Sequence, residues 1–463
     1  MNVSKKVWAG LPLVLALLVQ GCANGDKAAY SMKEEETGTL KVMFHSDSYF
    51  YQQYGNLFNA KFPNIELQVV NMQDLYKEGV TDYKKALEDL IEKENPDVLM
   101  LNLDQYTKYA EENKLLDLEP MLQEEDFKSA DIWPGSLKLL REKGGGKLFG
   151  LSPDFYSQGL YYNKDLFDKY GVPVPTKSLS WQEVIELAKR FPTDGSKEDR
   201  VYGLAMNYGS SIFQLGSAIG GTTGLQFIDG QGSKVTIQSD GWKKAFGLAV
   251  DALKSGALYV PGQQDPSSQS YVSYMSNDVF FTGKAAMTLN GSYYVNQLQD
   301  GATYDQSFKP FKWGVLTEPV DPANPDLGTS LSLSEIFAIN AKSTNTKAAW
   351  QLVKSINSDQ VAKLNSRTSN SGGLMSRVAY NKAKDGTSLD AFYSLQPREQ
   401  LMDWANVPNT FFEQFNQLAE VELQSVSSDN KTIDEALAVM QSSGQATLEK
   451  ARKDEEEAKA KKQ

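Results

Sequence analysis

The sequence predicts an α/β fold made of more than one globular unit, each a doubly wound sheet flanked by helices. Three observations carry this. From Thr39 onward, short strand patterns alternate with amphipathic helical patterns, as in parallel sheets joined by crossover helices. Val98-Leu99-Met100-Leu101 is a continuous apolar run, which a strand covered on both faces requires. The chain has 463 residues, more than one ordinary core organises.

Composition removes several function classes. With 41% hydrophobic, 23% charged and 11% aromatic residues, it is that of a water-soluble protein. A formal charge of -12 argues against nucleic acid as a partner and against charge-driven binding to anionic lipid. Cys22 is the single cysteine, so no intramolecular disulfide forms, and His45 is the single histidine, so no multi-histidine metal site exists. No G-x-S-x-G elbow accompanies His45 to support a hydrolase triad. Gly144-Gly145-Gly146-Lys147 is not a phosphate loop, because Arg141 and Leu148 stand where Gly and Ser/Thr are needed. It reads as a turn before a strand over Lys147–Gly150.

Residues 1–21 have the layout of a secretory signal. Lys5 and Lys6 precede an apolar run, Leu11 to Val19, that is too short to span a bilayer. The run ends in Val19-Gln20-Gly21-Cys22, which resembles a bacterial lipobox and implies diacylglycerol on the Cys22 thiol. Two acyl chains anchor far more firmly than one, so the expected location is extracytoplasmic, on the cell membrane. Residues 22–38 carry three consecutive glutamates and no apolar period. They predict a flexible tether with a reach of roughly 20–25 Å.

The α/β pattern then runs in order. Leu40–Phe44 alternates as a strand, and Tyr51, Tyr54, Leu57, Phe58 and Phe62 mark a helical face. Ile65, Leu67 and Val69 alternate again, and Tyr83, Ala86, Leu87, Leu90 and Ile91 mark a second helix before the Val98–Leu101 run. In doubly wound sheets, ligands sit beyond the carboxyl ends of the strands. That singles out the loops His45–Tyr49, with Asp47 and Tyr49, and Asn102–Gln105, with Asp104 and Gln105. Further on, Leu160-Tyr161-Tyr162 is a short strand followed by turn residues. Ser180 and Glu183 then form a capping box, with Trp181, Val184, Ile185, Leu187, Ala188 and Phe191 on one helical face. Trp242 to Leu253 is helical by spacing, and Thr432 with Glu435 opens a late helix. Residues 451–463 form a charged tail.

Four blocks, taken together, resemble the extracellular solute-binding proteins of ABC importers, in the group that includes maltose-binding protein. They are Tyr161-Tyr162-Asn163-Lys164-Asp165-Leu166-Phe167 with its capped helix, Phe280–Met287 with Asn290-Gly291 after it, Ile336–Ser343, and Gly372–Arg377. The resemblance spans residues 40 to about 440. It implies a periplasmic-binding-protein-like fold with two lobes, 39–153 plus 335–370 and 157–328 plus 377–450, joined by three crossovers. It also implies a binding function without catalysis or cofactor: a monomeric receptor that delivers a carbohydrate to ABC transporter permease subunits.

By that resemblance Tyr293, after an Asn-Gly turn, takes the place of a sugar-stacking tryptophan, and Asp104 that of a hydroxyl-bonding aspartate. Gln105 and Leu101 replace the family's arginine and tryptophan, so the maltose pattern is not kept. Tyr156, Tyr208, Ser210 and Ser211 are second-lobe contacts by loop position, and Trp313 is a further candidate. Alternatives stay open: Tyr293 could be a packed aromatic, and Asp104 a helix cap. Two rival functions also remain, a ferric-iron binder using the adjacent Tyr293 and Tyr294 as oxygen ligands and a surface glycoside hydrolase using a carboxyl pair.

Overall fold

The structure, a computed structural model, describes residues 32–76, 83–123, 127–196, 200–206, 211–259, 271–367, 373–398 and 407–460. Its strands, in chain order, are β1 Gly38–Phe44, β2 Ile65–Asn71, β3 Val98–Leu101, β4 Gly150–Leu151, β5 Asp154–Phe155, β6 Gln158–Asn163 and β7 Tyr202–Met206. There follow β8 Leu258–Tyr259, β9 Ala285–Gly291, β10 Trp313–Thr317, β11 Leu327–Gly328, β12 Ile336–Ile339, β13 Leu374–Met375 and β14 Gln396–Pro397. Two five-stranded sheets result, in the orders β2-β1-β3-β12-β4 and β10-β6-β9-β7-β8. Each forms the centre of one lobe.

Both sheets are mixed. In the first, β1 runs parallel to β2 and β3, but β12 is antiparallel to β3 and β4. In the second, β7 runs parallel to β8 and β9, while β6 is antiparallel to β9 and β10. The reversed strands are those that enter a lobe across the boundary between the two, from the opposite side to the strands that turn locally. Apolar faces explain the rest of the layering. Val98 to Leu101 are all buried, as their unbroken apolar run requires.

Two capping boxes form as the sequence indicates. Ser180 and Glu183 open the helix Trp181–Ala188, and Thr432 and Glu435 exchange bonds at the start of Ile433–Ala460. Trp181 and Trp242 are core residues; the Trp181 indole N–H donates to Thr222 Oγ1 at 3.0 Å. The glycine-rich segment after β7 becomes the helix Ile212–Thr222. Its Gly216 and Gly220, one turn apart, lie against Phe246 and Trp242 of the helix Asp240–Lys254. A Cβ there would stand 2.2 Å and 2.3 Å from those rings. The glycines thus let two helices approach closely enough to bury both aromatics, each contributing roughly 1.5–3 kcal/mol or more.

Some expectations are corrected. Asn290-Gly291 is not a turn: β9 runs through Gly291, which pairs with Gln158, and the chain passes directly into the helix Tyr294–Gln299. The strand expected at Lys147–Gly150 lies at Gly150–Leu151, set by pairing of Leu151 with Phe337. Gly144–Lys147 is a turn, with Gly145 and Gly146 at φ of 64° and 94°. Among the described residues no helix is long and apolar enough to cross a membrane.

Candidate ligand-binding cleft

Register places one edge of each sheet at the boundary between the lobes. In the first lobe Ile336 pairs with Leu101 and Phe337 with Leu151. The residues just beyond β1 and β3, the residue before β12 and the residue after β4 therefore share an edge: His45, Asn102, Glu335 and Ser152. In the second lobe Gln158 pairs with Gly291, and Gly159 with Thr317. The ends of β9 and β10 thus meet the start of β6.

The connections between the lobes are tied to one another. Tyr156 exchanges backbone hydrogen bonds with Ser332 at 2.9 Å each, and β5 pairs with β13. The Ser152 hydroxyl shares its one proton between the carbonyls of Glu335, at 2.8 Å, and Asp154, at 2.7 Å. On the second-lobe side the Gln158 N–H donates to Ser330 Oγ at 2.9 Å. The buried Glu318 carboxylate accepts from the N–H groups of Thr329 and Ser330. Burial pushes this carboxyl up, and the bonds it accepts pull it back down.

An aromatic shelf occupies the second-lobe edge. Tyr156 and Tyr293, both half-buried, lie nearly parallel, with ring centroids 6.1 Å apart and 15° between planes. Gly291 makes room for them, since a Cβ there would fall 2.4 Å from Tyr156 Oη and 2.5 Å from Tyr293 Cε1. Tyr294 turns the other way. It is buried, its hydroxyl donates to Asp278 Oδ2 at 2.6 Å, and its ring packs edge-on to Tyr161. The adjacent tyrosines therefore do not face one site, which removes the basis of the ferric-iron reading. Among the described residues, no group of three or more His, Cys, Asp or Glu is placed to hold a metal ion.

The opposite edge carries a polar cluster. Ser46 caps the helix that begins at Asp47, so Asp47 is exposed on its first turn, and Tyr49 packs near Phe44 and His45. Tyr54, on the π-helical stretch Tyr51–Gly55, donates its hydroxyl to Glu335 Oε2 at 3.2 Å. His45 Nε2 stands 3.7 Å from Glu335 Oε1. Burial holds the imidazole below its ordinary 6.5, so this contact is not an ion pair at neutral pH. Burial, with Asp154 nearby, pushes the Glu335 carboxyl up to about 7, and burial pushes Asp154 up to about 6. Tyr49 is raised by burial first and by Glu335 second.

The remaining candidates separate. Asn102, not Asp104, caps the helix Leu103–Glu111. The Gln105 side chain completes that box by accepting from the Asn102 N–H, while Asp104 is exposed on the first turn. Leu103 lines a narrow crevice with Gly328, Thr329 and Leu331, so this helix start borders the boundary between the lobes. Trp313 does not. It pairs with Asn163 at the end of β6 away from the crossovers, is 5% exposed, and packs on Tyr161. Trp313 stands away from the boundary because β10 begins at the far end of the sheet. Tyr208, Ser210 and Cys22 lie outside the described residues; Ser211 caps the helix Ile212–Thr222. Sequence reasoning missed Tyr54, Asp154, Glu335 and the role of Gly291. Position was the available signal, since Asp154 and Glu335 stand in the two crossovers next to the strands they lead to.

A sequence model of the bacterial extracellular solute-binding proteins matches residues 44–363. The chain belongs to that family. Among solved structures, this solute-binding protein is similar to an ABC substrate-binding protein from Listeria monocytogenes in complex with cycloalternan. That chain is 19% identical, with a TM-score of 0.55, and the match covers 89% of this chain and 98% of that one. It is also similar to the sugar-binding protein MalE from Xanthomonas citri, at 18% identity and a TM-score of 0.60, covering 90% and 99%. At these identities the likeness establishes the two-lobed fold. Among curated relatives, the sn-glycerol-3-phosphate-binding periplasmic protein of Rhizobium meliloti is 25% identical over 170 residues, 36% of this chain and 39% of that one. A Brucella abortus protein described as a binding protein is 26% identical over 215 residues. The chain spans about half the length of these first relatives, 46% for the Brucella protein.

Proposed function

We propose that this solute-binding protein is an extracytoplasmic receptor, held on the membrane by a lipid on Cys22. It captures a carbohydrate between its lobes, an oligosaccharide by preference, and hands it to the permease of an ABC importer. The observation that carries the reading is the Tyr156–Tyr293 shelf on the second-lobe edge. A sugar ring presents an apolar C–H face to such a surface, while its hydroxyls need polar partners, because leaving them unbonded costs about 1–3 kcal/mol each. Asp47 on the facing edge, with Glu335 and Asp154 at the floor, supplies acceptors. The sugar-binding structures among its neighbours support the same class. Closure of the lobes about their crossovers would trap the sugar.

A glycoside hydrolase needs an acid and a base on either side of the scissile bond. Asp154 and Glu335 instead sit on neighbouring crossovers at the floor, an arrangement that favours binding over hydrolysis. A thermal-shift screen over mono- and oligosaccharides, with sn-glycerol-3-phosphate and ferric salt alongside, tests the reading. A sugar at 100 times its dissociation constant adds about 2.7 kcal/mol. Stabilisation by a sugar without release of reducing ends is the expected result. Stabilisation by sn-glycerol-3-phosphate or ferric salt and by no sugar would overturn the carbohydrate assignment.

A further inference from the structure

The floor of the cleft holds two carboxyls from different crossovers. Asp154 lies in the first and Glu335 at the end of the second, and the Ser152 hydroxyl bonds the backbone carbonyls of both. Every titratable group that faces them is weakly basic or acidic. His45 comes from the end of β1 at 3.7 Å, Tyr54 from the π-helical stretch at 3.2 Å, and Tyr49 from the turn before it. The third crossover contributes Gly373, Leu374 and Met375, none of them charged. Among the described residues no lysine or arginine pairs with either carboxylate. Solvent reaches the Glu335 carboxylate: the Glu335 and His45 side chains keep 14% and 43% of their surface exposed, while Asp154 is raised by burial alone.

From this arrangement we infer that closing the lobes takes up a proton from solvent at the Asp154–Glu335 pair, so that acid favours the closed form. Closure swings the second-lobe edge, with Tyr293 and Gly291, toward His45 and Glu335 and removes that water. Loss of water disfavours the charged carboxylate and not the neutral carboxylic acid. With no cation to compensate, the closed form holds the proton more tightly than the open form. Linkage then requires the closed population to grow as pH falls through the range where the pair titrates. The sign follows from the missing cation: a lysine at this place would reverse it.

Glu335 is the sensitive member, because it bridges Tyr54 of the first lobe to the crossover that carries the motion. The Tyr54 hydroxyl, 3.2 Å away, can donate to Glu335 in either protonation state, whereas His45 Nε2 at 3.7 Å stands beyond hydrogen-bond reach. The neutral form is thus held in place without any rearrangement of the floor. The inference rests on the closing motion proposed above but not on the identity of the sugar.

The test uses the full chain with Cys22→Ser and spin labels at two exposed positions, Glu92→Cys in the first lobe and Lys244→Cys in the second. Pulsed spin–spin distances are recorded from pH 8 to pH 5.5 with no sugar present. The short-distance population is expected to grow up to about tenfold relative to the long one, as a one-unit rise of a carboxyl pKa on closing produces. Glu335→Gln should show the enlarged short population at every pH, and Asp154→Asn should flatten the response independently. Distances that do not change with pH in the parent overturn the inference, as does a pH response that survives in both variants. A pH response alongside a failed sugar screen leaves this inference standing and removes only the carbohydrate assignment.

Discussion

Replacing Glu335 by Gln should stabilise the fold, and only at high pH. In the native protein burial and Asp154 raise this carboxyl from 4.5 to about 7. Between those values the native state binds more protons than the unfolded chain, so stability falls as pH rises through the window. Above pH 7 the ionised side chain is a burden on the fold, and below about 4.5 it is none. Each tenfold in proton affinity is worth about 1.4 kcal/mol, which sets a ceiling of about 3 kcal/mol. Solvent at the 14% of the side chain still exposed, and sharing of the proton with Asp154, lower this to about 1–2 kcal/mol. Gln keeps the oxygen that accepts from Tyr54, so no bond is lost. Urea unfolding of parent and variant at pH 8, 6 and 4 decides it. The curves should differ by about 1–2 kcal/mol at pH 8 and converge at pH 4. A variant less stable at pH 8, or a difference independent of pH, would refute the assignment of a strained carboxylate to this floor.

Three further outcomes are expected. Tyr293→Ala should weaken sugar binding by about 1–3 kcal/mol, ten- to over a hundredfold by calorimetry, while its half-exposed ring costs the fold less than the roughly 3–5 kcal/mol of a core aromatic. Tyr294→Phe should do the reverse: it deprives buried Asp278 of a 2.6 Å donor, lowering stability by about 1–3 kcal/mol in urea with affinity unchanged. Cys22→Ser should appear in the medium by fractionation and immunoblot, with binding intact; retention on membranes would reject the lipid anchor.

Much of the fold was legible because its signals are local. The unbroken apolar run at Val98–Leu101, the Ser180–Glu183 box and the stripes bearing Trp181 and Trp242 each depend on neighbours a few residues away. The site was less so, because it is assembled by register. Trp313 looked available between loop residues, yet which end of an antiparallel strand meets the cleft depends on its pairing with Asn163. Asn290-Gly291 has the composition of a turn, but pairing with Gly159 and Gln158 keeps it extended. Gln105 was a ligand candidate by its place beyond a strand end and is spent partly on capping its own helix. Tyr54, Asp154 and Glu335 converge from positions far apart in the chain, and no spacing rule reveals such a meeting.

The order β2-β1-β3-β12-β4 has a consequence for how the chain is made. The strand Ile336–Ile339 lies between β3 and β4, yet it is synthesised long after both. Until it emerges, Leu99 and Gly150 have no partner on the sides that will face Ala338, and the first lobe is a sheet with a slot in its middle. The second lobe waits as well, for the helices Asn409–Ser427 and Ile433–Ala460 that cover Phe213 and Phe246. Neither lobe can finish as a nascent unit, and contacts so distant in sequence form slowly. Both cores therefore stay open until segments far along the chain have been made.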